Sequence, residues 1–441
     1  MASSTRSANR WSRLQRKAAH LSAGGSWATR LPLDTQRNLR FFLFDGVFAA
    51  ASDAVPLTYL PLFLLALGAS NADIGLMTAL ASLSATLFLI PGASLSDRVS
   101  RRKPLILIAG GIIGRSGLLL LALLPLFANK SSIIYAAIAV KVVMDGAGNF
   151  ALPAWVSMTG DIIPLSWRGR FFGSRNLFMG IAAMLVTYGI GQFITAAGGV
   201  GGYQWAFGIA FGVGLLSTVA FSRIHEPDSP ATQAKHPSYS LKSLLDTLRS
   251  DPNFSAFFFY SLLWNFSLNI AGPFFNVFLV RDLKATAAAV GLVAIAGKIA
   301  ALPAQQYLGR LADRWGARKL TLVLGFSIPI LPFAWIFVQN PYQVVPINLI
   351  SGVLWAGYNL AMFNLMLEIA PPDQRARYSA LSQMAVAASM ALGAALGGLI
   401  SNRWGIPILF AISGAGRLLS MGYFARKVRQ PYPQLPASTQ P

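Results

Sequence analysis

The sequence contains no cysteine, which excludes disulfides and thiolate metal sites. Its three histidines, His20, His225 and His236, all lie outside the long apolar runs. A histidine proton relay or a His-ligated metal within those runs is therefore excluded. Charge is scarce. Asp, Glu, Lys and Arg make up 12 % of the 441 residues, where a soluble domain carries about 25 %. Acids are scarcest, 15 against 36 Lys and Arg, for a net charge of +21. No nucleophile–base pair, metal-ligand set, phosphate-binding loop or ATPase motif is present, so neither an enzyme nor a bound metal or cofactor is expected.

What the sequence has instead is apolar length. Hydrophobic residues account for 54 % of it, in long runs rather than in alternation, which is the pattern of membrane spans. Twelve runs are legible, at 41–67, 72–95, 104–127, 133–158, 171–197, 203–221, 253–280, 286–308, 320–338, 344–369, 378–400 and 406–424. Most are near the ~20 residues that a helix needs to cross the hydrocarbon core. The polar stretch at about 222–252, with His225-Glu226-Pro227 and a Ser/Pro-rich run, divides six from six. The expected fold class is an all-α membrane protein of twelve transmembrane helices in two pseudo-symmetric six-helix bundles. Its divisions are a basic arm (1–39), a first bundle (40–222), a central loop (223–252), a second bundle (253–425) and a tail (426–441).

The basic residues lie on alternate connections, not on one groove or helix face, so no nucleic-acid partner is expected. One side receives those of the arm, of the tail and of the even-numbered connections, including Arg168 and Arg170 before the fifth span and, counted with them, Arg175 in its first turns. The other side receives only Lys130, Arg281, Lys284 and Arg403. The positive-inside rule then places both termini in the cytoplasm, in a multi-pass protein of the cell membrane and a monomer within the lipid bilayer. In the arm, Trp11, Leu14, Ala18 and Leu21 recur at roughly helical spacing among Arg10, Arg13, Arg16 and Lys17. An amphipathic helix on an anionic membrane face, a disordered basic arm and a transit peptide all fit that pattern.

The chain repeats itself. Ala93-Ser-Leu-Ser-Asp97-Arg98-Val-Ser-Arg-Arg102-Lys103 returns as Gly309-Arg-Leu-Ala-Asp313-Arg314-Trp-Gly316-Ala-Arg318-Lys319, with Asp97 and Asp313 216 residues apart. At the same offset Gly75-Leu76 matches Gly291-Leu292 and Phe41-Phe42 matches Phe257-Phe258. A second pair, Asp161-Ile-Ile-Pro164-Leu-Ser-Trp-Arg168-Gly-Arg170 and Glu368-Ile-Ala-Pro371-Pro-Asp-Gln-Arg375-Ala-Arg377, has an offset of 207.

The loop at 309–319 resembles the signature loop of the major facilitator superfamily, which lies between helices 2 and 3 and recurs between helices 8 and 9. The first copy departs from it at Ala93 and Ser100, where two glycines are expected. The Pro-x-x-x-Arg-x-Arg segments resemble the family's helix 4–5 and helix 10–11 loops, and the resemblance covers roughly residues 40–425. It implies that the loop acid braces the opposite half across a cytoplasmic gate. Asp97 would face the start of helix 11 and Asp313 the start of helix 5, where Arg377 and Arg170 are candidate partners. A carboxylate at a helix N-terminus is worth ~0.3–1 kcal/mol. The bland alternative is that these charges only set topology. The helix 5 antiporter motif of drug-exporting relatives is missing, since Tyr188-Gly-Ile-Gly191-Gln192 has no proline.

Charges inside spans cost about 2.5–3.5 kcal/mol each on insertion scales, so each is a functional candidate. Asp53 lies about 20 Å beyond Arg40 at 1.5 Å per residue, near the midplane of a core ~30 Å thick. The 216-residue offset pairs it with Asn269 across the repeat interface, where such folds hold substrate. Asp45 is only about 7 Å in by the same arithmetic, within reach of cytoplasmic water. Lys141 and Asp145 share a helix face at i, i+4, either as a site or as a pair that only neutralises itself. The resemblance makes helix 8 cavity-lining and helices 3 and 12 peripheral. Lys298 is then a substrate candidate, with Asp53 as its partner in an empty site, whereas Arg115 and Arg417 read as structural, each paired with an acid or a carbonyl. Asn265, Asn269, Asn276, Gln305, Gln306, Trp355, Tyr358, Asn359 and Asn364 suit an amphipathic organic solute, or else interhelical hydrogen bonds.

The expectation is a secondary active transporter of a small organic solute by alternating access, with Asp53 as a candidate proton site. The alternative is a non-transporting assembly or sensor protein that retains the fold.

Overall fold

The computed structural model describes residues 31–127, 130–163, 167–226, 241–371 and 375–429. The basic arm's candidate helix, Pro164, the Ser/Pro-rich run of the central loop and the side chains of Lys130, Gln306 and Arg377 lie outside the described residues. All regular structure among the described residues is helical. Twelve helices are long and apolar enough to cross a membrane: α1 (Leu33–Ala66), α2 (Asn71–Arg98), α3 (Lys103–Phe127), α4 (Ser132–Ile162), α5 (Arg168–Ala197), α6 (Gly199–Ser222), α7 (Pro252–Arg281), α8 (Ala287–Gln305), α9 (Ala317–Ile336), α10 (Pro341–Ile369), α11 (Leu381–Trp404) and α12 (Ile406–Lys427). Helix satisfies every backbone donor within the segment, which a lipid environment demands. The same environment accounts for the exposed apolar side chains, such as Leu57, Leu87, Ile90, Leu126, Leu185 and Leu419.

Local chemistry sets the irregularities. α7 runs as helix to Asn269 and again from Phe274, because Pro273 lacks an N–H and its ring crowds the preceding turn. Pro329 interrupts α9 between Ser327 and Ile330 in the same way. α1 carries Pro56 and Pro61 without a break. α6 and α12 are each preceded by a glycine in the left-handed region, Gly198 at φ 68° and Gly405 at φ 84°. These two glycines are 207 residues apart, so the offset of the second motif pair extends into the last helices of each half.

The chain forms two compact units that do not follow the sequence halves: residues 70–83 belong to the second and 286–291 to the first. In the first unit α1 packs mainly against α5 and α6, burying Phe42, Tyr59, Phe63, Phe171 and Phe207. In the second, α7 packs against α11 and α12, around an aromatic core of Phe254, Phe257, Tyr260, Trp264, Tyr358 and Phe424. The first helix of each half thus meets the last two of its own half. The matched glycines Gly75 and Gly291 mark two close approaches. A Cβ at Gly75 would stand 2.5 Å from the Ala394 carbonyl oxygen within the second unit, and one at Gly291 2.6 Å from the Tyr59 hydroxyl within the first.

Candidate functional site

In the first unit the deep charges are all paired. Arg115, on α3, forms an ion pair with Asp53 on α1 and donates to the Ser52 hydroxyl at 3.2 Å. Ser52 in turn donates to the Ala210 carbonyl of α6 at 2.8 Å. Gly214 leaves room for the arginine stem, since a Cβ there would lie 2.7 Å from Arg115 Cδ. The Asp53 side chain is 63 % exposed and that of Arg115 only 14 %. Within its own unit the acid's partner is Arg115. Arg115 has the acid partner that a structural reading required, and that acid is the principal candidate itself.

Lys141 and Asp145 form the expected pair on α4, with Nζ at 2.6 and 2.7 Å from the two carboxylate oxygens. Asn149 extends the row by one turn, donating to the Asp145 carbonyl at 2.9 Å.

A third cluster departs from the sequence reading. Asp45 does not reach water. It is 8 % exposed, accepts a hydrogen bond from Ser217 at 2.7 Å and faces Arg175 Nη2 at 3.6 Å. Arg175, counted with a connection on sequence grounds, lies inside α5 and is 6 % exposed. Its Nε donates to the Phe42 carbonyl at 3.1 Å, and its guanidinium lies 5.4 Å from the Trp155 ring centroid. The two charges and one hydroxyl tie α1 to α5 and α6. The one available signal was the Gly46 next to Asp45: a Cβ there would be 2.5 Å from Arg175 Nε.

The two signature loops differ in backbone. Gly316 has φ 80° and ψ 152° and precedes α9, a conformation that costs other residues about 1–3 kcal/mol. Its counterpart Ser100 has no positive φ. Gly309 is under no such constraint, because a Cβ would meet only Leu360 at 3.6 Å, and this explains why Ala93 serves in the first copy. Arg102 pairs with Asp161 at 2.7 Å, joining both first-half motifs. Glu226 accepts from the backbone N–H of Arg102 at 2.6 Å and of Lys103 at 3.1 Å, a carboxylate at the start of α3 that the sequence reading missed. In the second loop, Arg318 donates to the carbonyls of Val428 at 2.8 Å and Ala425 at 2.8 Å, closing the end of α12. Lys319 lies over Trp315 and Arg170 over Trp167. Arg98, Asp313 and Arg314 are exposed and Asp97 is half-buried.

In the second unit Asn265 and Asn269 bond within their own helix rather than between helices. Asn265 donates to the Ser261 carbonyl and Asn269 to the Asn265 carbonyl, each at 2.8 Å and each within α7. Helical i, i+4 spacing offers that carbonyl to a short amide without any neighbour. Asn359 and Lys298 are exposed. Trp355 sits 6.2 Å from Trp264, centroid to centroid, and lines a cavity of about 270 Å³ with Asn276, Trp335, Asn348, Ser351 and Arg417. Arg417 is 3 % exposed, and its Nε has no acceptor. The expectation that it pairs with an acid or a carbonyl is not met among the described residues. A larger cavity, about 480 Å³, is lined by Phe259, Leu262, Leu263, Phe266 and Leu392 and offers no charged group.

Known proteins were compared with this chain. It is 25 % identical over 401 residues to the multi-drug resistance efflux pump PmrA homolog of Lactococcus lactis, covering 83 % of this chain and 90 % of that protein. It is 21 % identical to the multidrug resistance protein MdtG of Enterobacter lignolyticus, covering 92 % and 95 % respectively. A crystal structure of the nucleoside transporter NupG matches 89 % of this chain and 100 % of that one with a TM-score of 0.72 at 16 % identity, a likeness of fold. The relatives are transporters rather than enzymes, and the protein is a multi-pass membrane protein of twelve spans. The family model described as Major Facilitator Superfamily matches residues 43–281 and 257–441, so the chain belongs to the Major Facilitator Superfamily.

Proposed function

We propose that this transporter moves a small, amphipathic organic solute by alternating access, and that Asp53 couples the cycle to protons. The observation that carries the reading is the pair between Asp53 and Arg115. The acid is less enclosed by protein than the guanidinium, which on a face lining the transport path would open it to protons. Protonation of Asp53 removes its half of the attraction and leaves Arg115 with only the Ser52 hydroxyl. A two-state protein shifts by the differential affinity of a ligand for its states, and a proton is such a ligand.

The protein acts as a monomer in the cell membrane with both termini in the cytoplasm. Lys141, Asp145, Asn265, Asn269, Lys298, Trp355 and Asn359 belong to the substrate path. Asp97 and Asp313, with the basic residues of their loops, bias the conformational equilibrium. The names of the two relatives support export, while the missing proline in α5 sets this chain apart from drug/proton antiporters.

The test is flux in proteoliposomes with ethidium, uridine, xylose and benzoate, with and without a pH gradient. Gradient-driven movement of at least one solute is expected, with Asp53→Asn retaining exchange but losing the response to the gradient. Asp97→Asn and Asp313→Asn should each slow flux at normal expression. Inert vesicles across the panel would instead favour a sensor or assembly role. A pH response that survives in Asp53→Asn would move the proton site elsewhere.

A further inference from the structure

Arg417 breaks the pattern set by the other buried arginines. Arg102 has Asp161, Arg115 has Asp53, and Arg175 has Asp45 and the Phe42 carbonyl. Arg417 is as buried as any of them and its Nε, like that of Arg102, has no acceptor, but unlike them it has no described carboxylate within ion-pair distance. Nor do the spans of its own half offer one: α7, α8, α9, α11 and α12 contain no Asp or Glu, and α10 has only Glu368, at its last turn. A buried cation without a partner is costly. Among the described residues nothing supplies the negative charge, and an anion from outside the chain is one that could.

The place for it is the cavity that Arg417 lines. At about 270 Å³ it is near the lower end of small-molecule pockets. Its polar groups are neutral. Asn348 has its amide nitrogen committed to the Val293 carbonyl at 2.9 Å, whereas Asn276 and Ser351 make no hydrogen bond to a described residue and are free to donate. The remaining wall is aromatic, with Phe275 and Trp335 edge to face at 4.7 Å and Trp355 beside them. A guanidinium matches a carboxylate through two parallel N–H···O bonds, and flat apolar walls suit a flat apolar body.

We propose that Arg417, with Asn276 and Ser351, binds the carboxylate of a small organic anion whose apolar body lies against Phe275, Trp335 and Trp355. The inference deepens the transport reading by naming the class of its cargo, and rests on that reading for the role of the site, but binding itself requires no flux.

The test uses the full-length protein purified in detergent. Calorimetric titrations with benzoate and 3-phenylpropionate are compared with their neutral amides and with sodium chloride. At least one carboxylate should bind, its amide at least about 30-fold more weakly, and Arg417→Gln should lose that binding. Arg417→Lys, which keeps the charge without the fork, should bind with intermediate affinity. Asn276→Ala should weaken binding while leaving the protein folded, so the proposal remains testable if Arg417→Gln does not fold. The melting temperature of empty Arg417→Gln should equal or exceed that of the wild type, and added carboxylate should raise only the latter. Binding of neither carboxylate, equal binding of amide and acid, saturation by chloride alone, or unchanged carboxylate affinity in Arg417→Gln would each overturn the proposal. Carboxylate binding by protein that is inert in vesicles would overturn the transport reading and leave the site standing. Flux of another solute without carboxylate binding would do the reverse.

Discussion

Arg115 and Arg417 stand in the two halves of one repeat, and their surroundings differ in one respect: the first has an acid and the second does not. The 216-residue offset carries Asp53 to Asn269 and Arg115 to Leu331, so the second half has neither member of the first half's pair at the matching positions. Leu331 instead lines the cavity beside Arg417, which enters from α12. In the first half the deep charges pair with one another. In the second, Arg417 has no described carboxylate beside it. Coupling is proposed for the first arrangement and cargo recognition for the second.

The sharpest way to break the comparison is to remove a buried arginine from each half. Arg175→Gln leaves the Asp45 carboxylate buried beside Ser217 without its cation. Breaking a buried pair by removing one partner costs about 3–5 kcal/mol. Arg417→Gln removes a cation that has no described partner, so the empty protein should change by less than about 1 kcal/mol or gain stability. Unfolding of both variants in detergent, followed by circular dichroism against denaturant, gives the two values side by side. Equal losses would mean that Arg417 is held by a partner as firmly as Arg175 is.

The signature loops supply a smaller contrast. Gly316 holds φ 80° and ψ 152° ahead of α9, so Gly316→Ala should cost about 1–3 kcal/mol. Ser100→Ala, at the matching position without a positive φ, should be neutral within about 0.5 kcal/mol. A neutral Gly316→Ala would show that the second loop relaxes easily and that its glycine is not a backbone requirement.

Much of the fold was legible in the sequence because membrane spans are written in local composition. All twelve runs found a helix, and the ends mostly differ by a few residues, where helices continue past the apolar stretch. Lys141 and Asp145 were legible for the same reason, since i, i+4 spacing is a property of one helix. The site was legible only in its parts. Spacing along α1 set Asp53 at mid-depth, but which neighbour faces it depends on how α3 is rotated, and composition does not encode that. Arg175 was misplaced because an arginine near a span end is expected to reach outward, whereas Phe42, Trp155 and Asp45 draw it inward. Asn265 and Asn269 were read as substrate contacts or interhelical bonds, while in the fold each donates to its own i−4 carbonyl.

The smallest expected effect concerns the pair on which coupling rests. The Asp53 side chain is 63 % free of protein cover, so on a water-lined transport path solvent would screen the attraction that burial would strengthen. A double-mutant cycle of Asp53→Asn and Arg115→Gln, read from unfolding free energies, should therefore give a coupling of about 0.5–1 kcal/mol. A weak bond is what a switch requires here. A proton that must undo the pair in every cycle has to overcome its strength, and a lock of several kcal/mol would hold one conformation at any ordinary pH gradient. A coupling above about 3 kcal/mol would assign the pair to structure, as with Asp45 and Arg175, and would leave the first half without its titrating element. A coupling within the range, together with loss of the gradient response in Asp53→Asn, would hold the two arginines to different tasks.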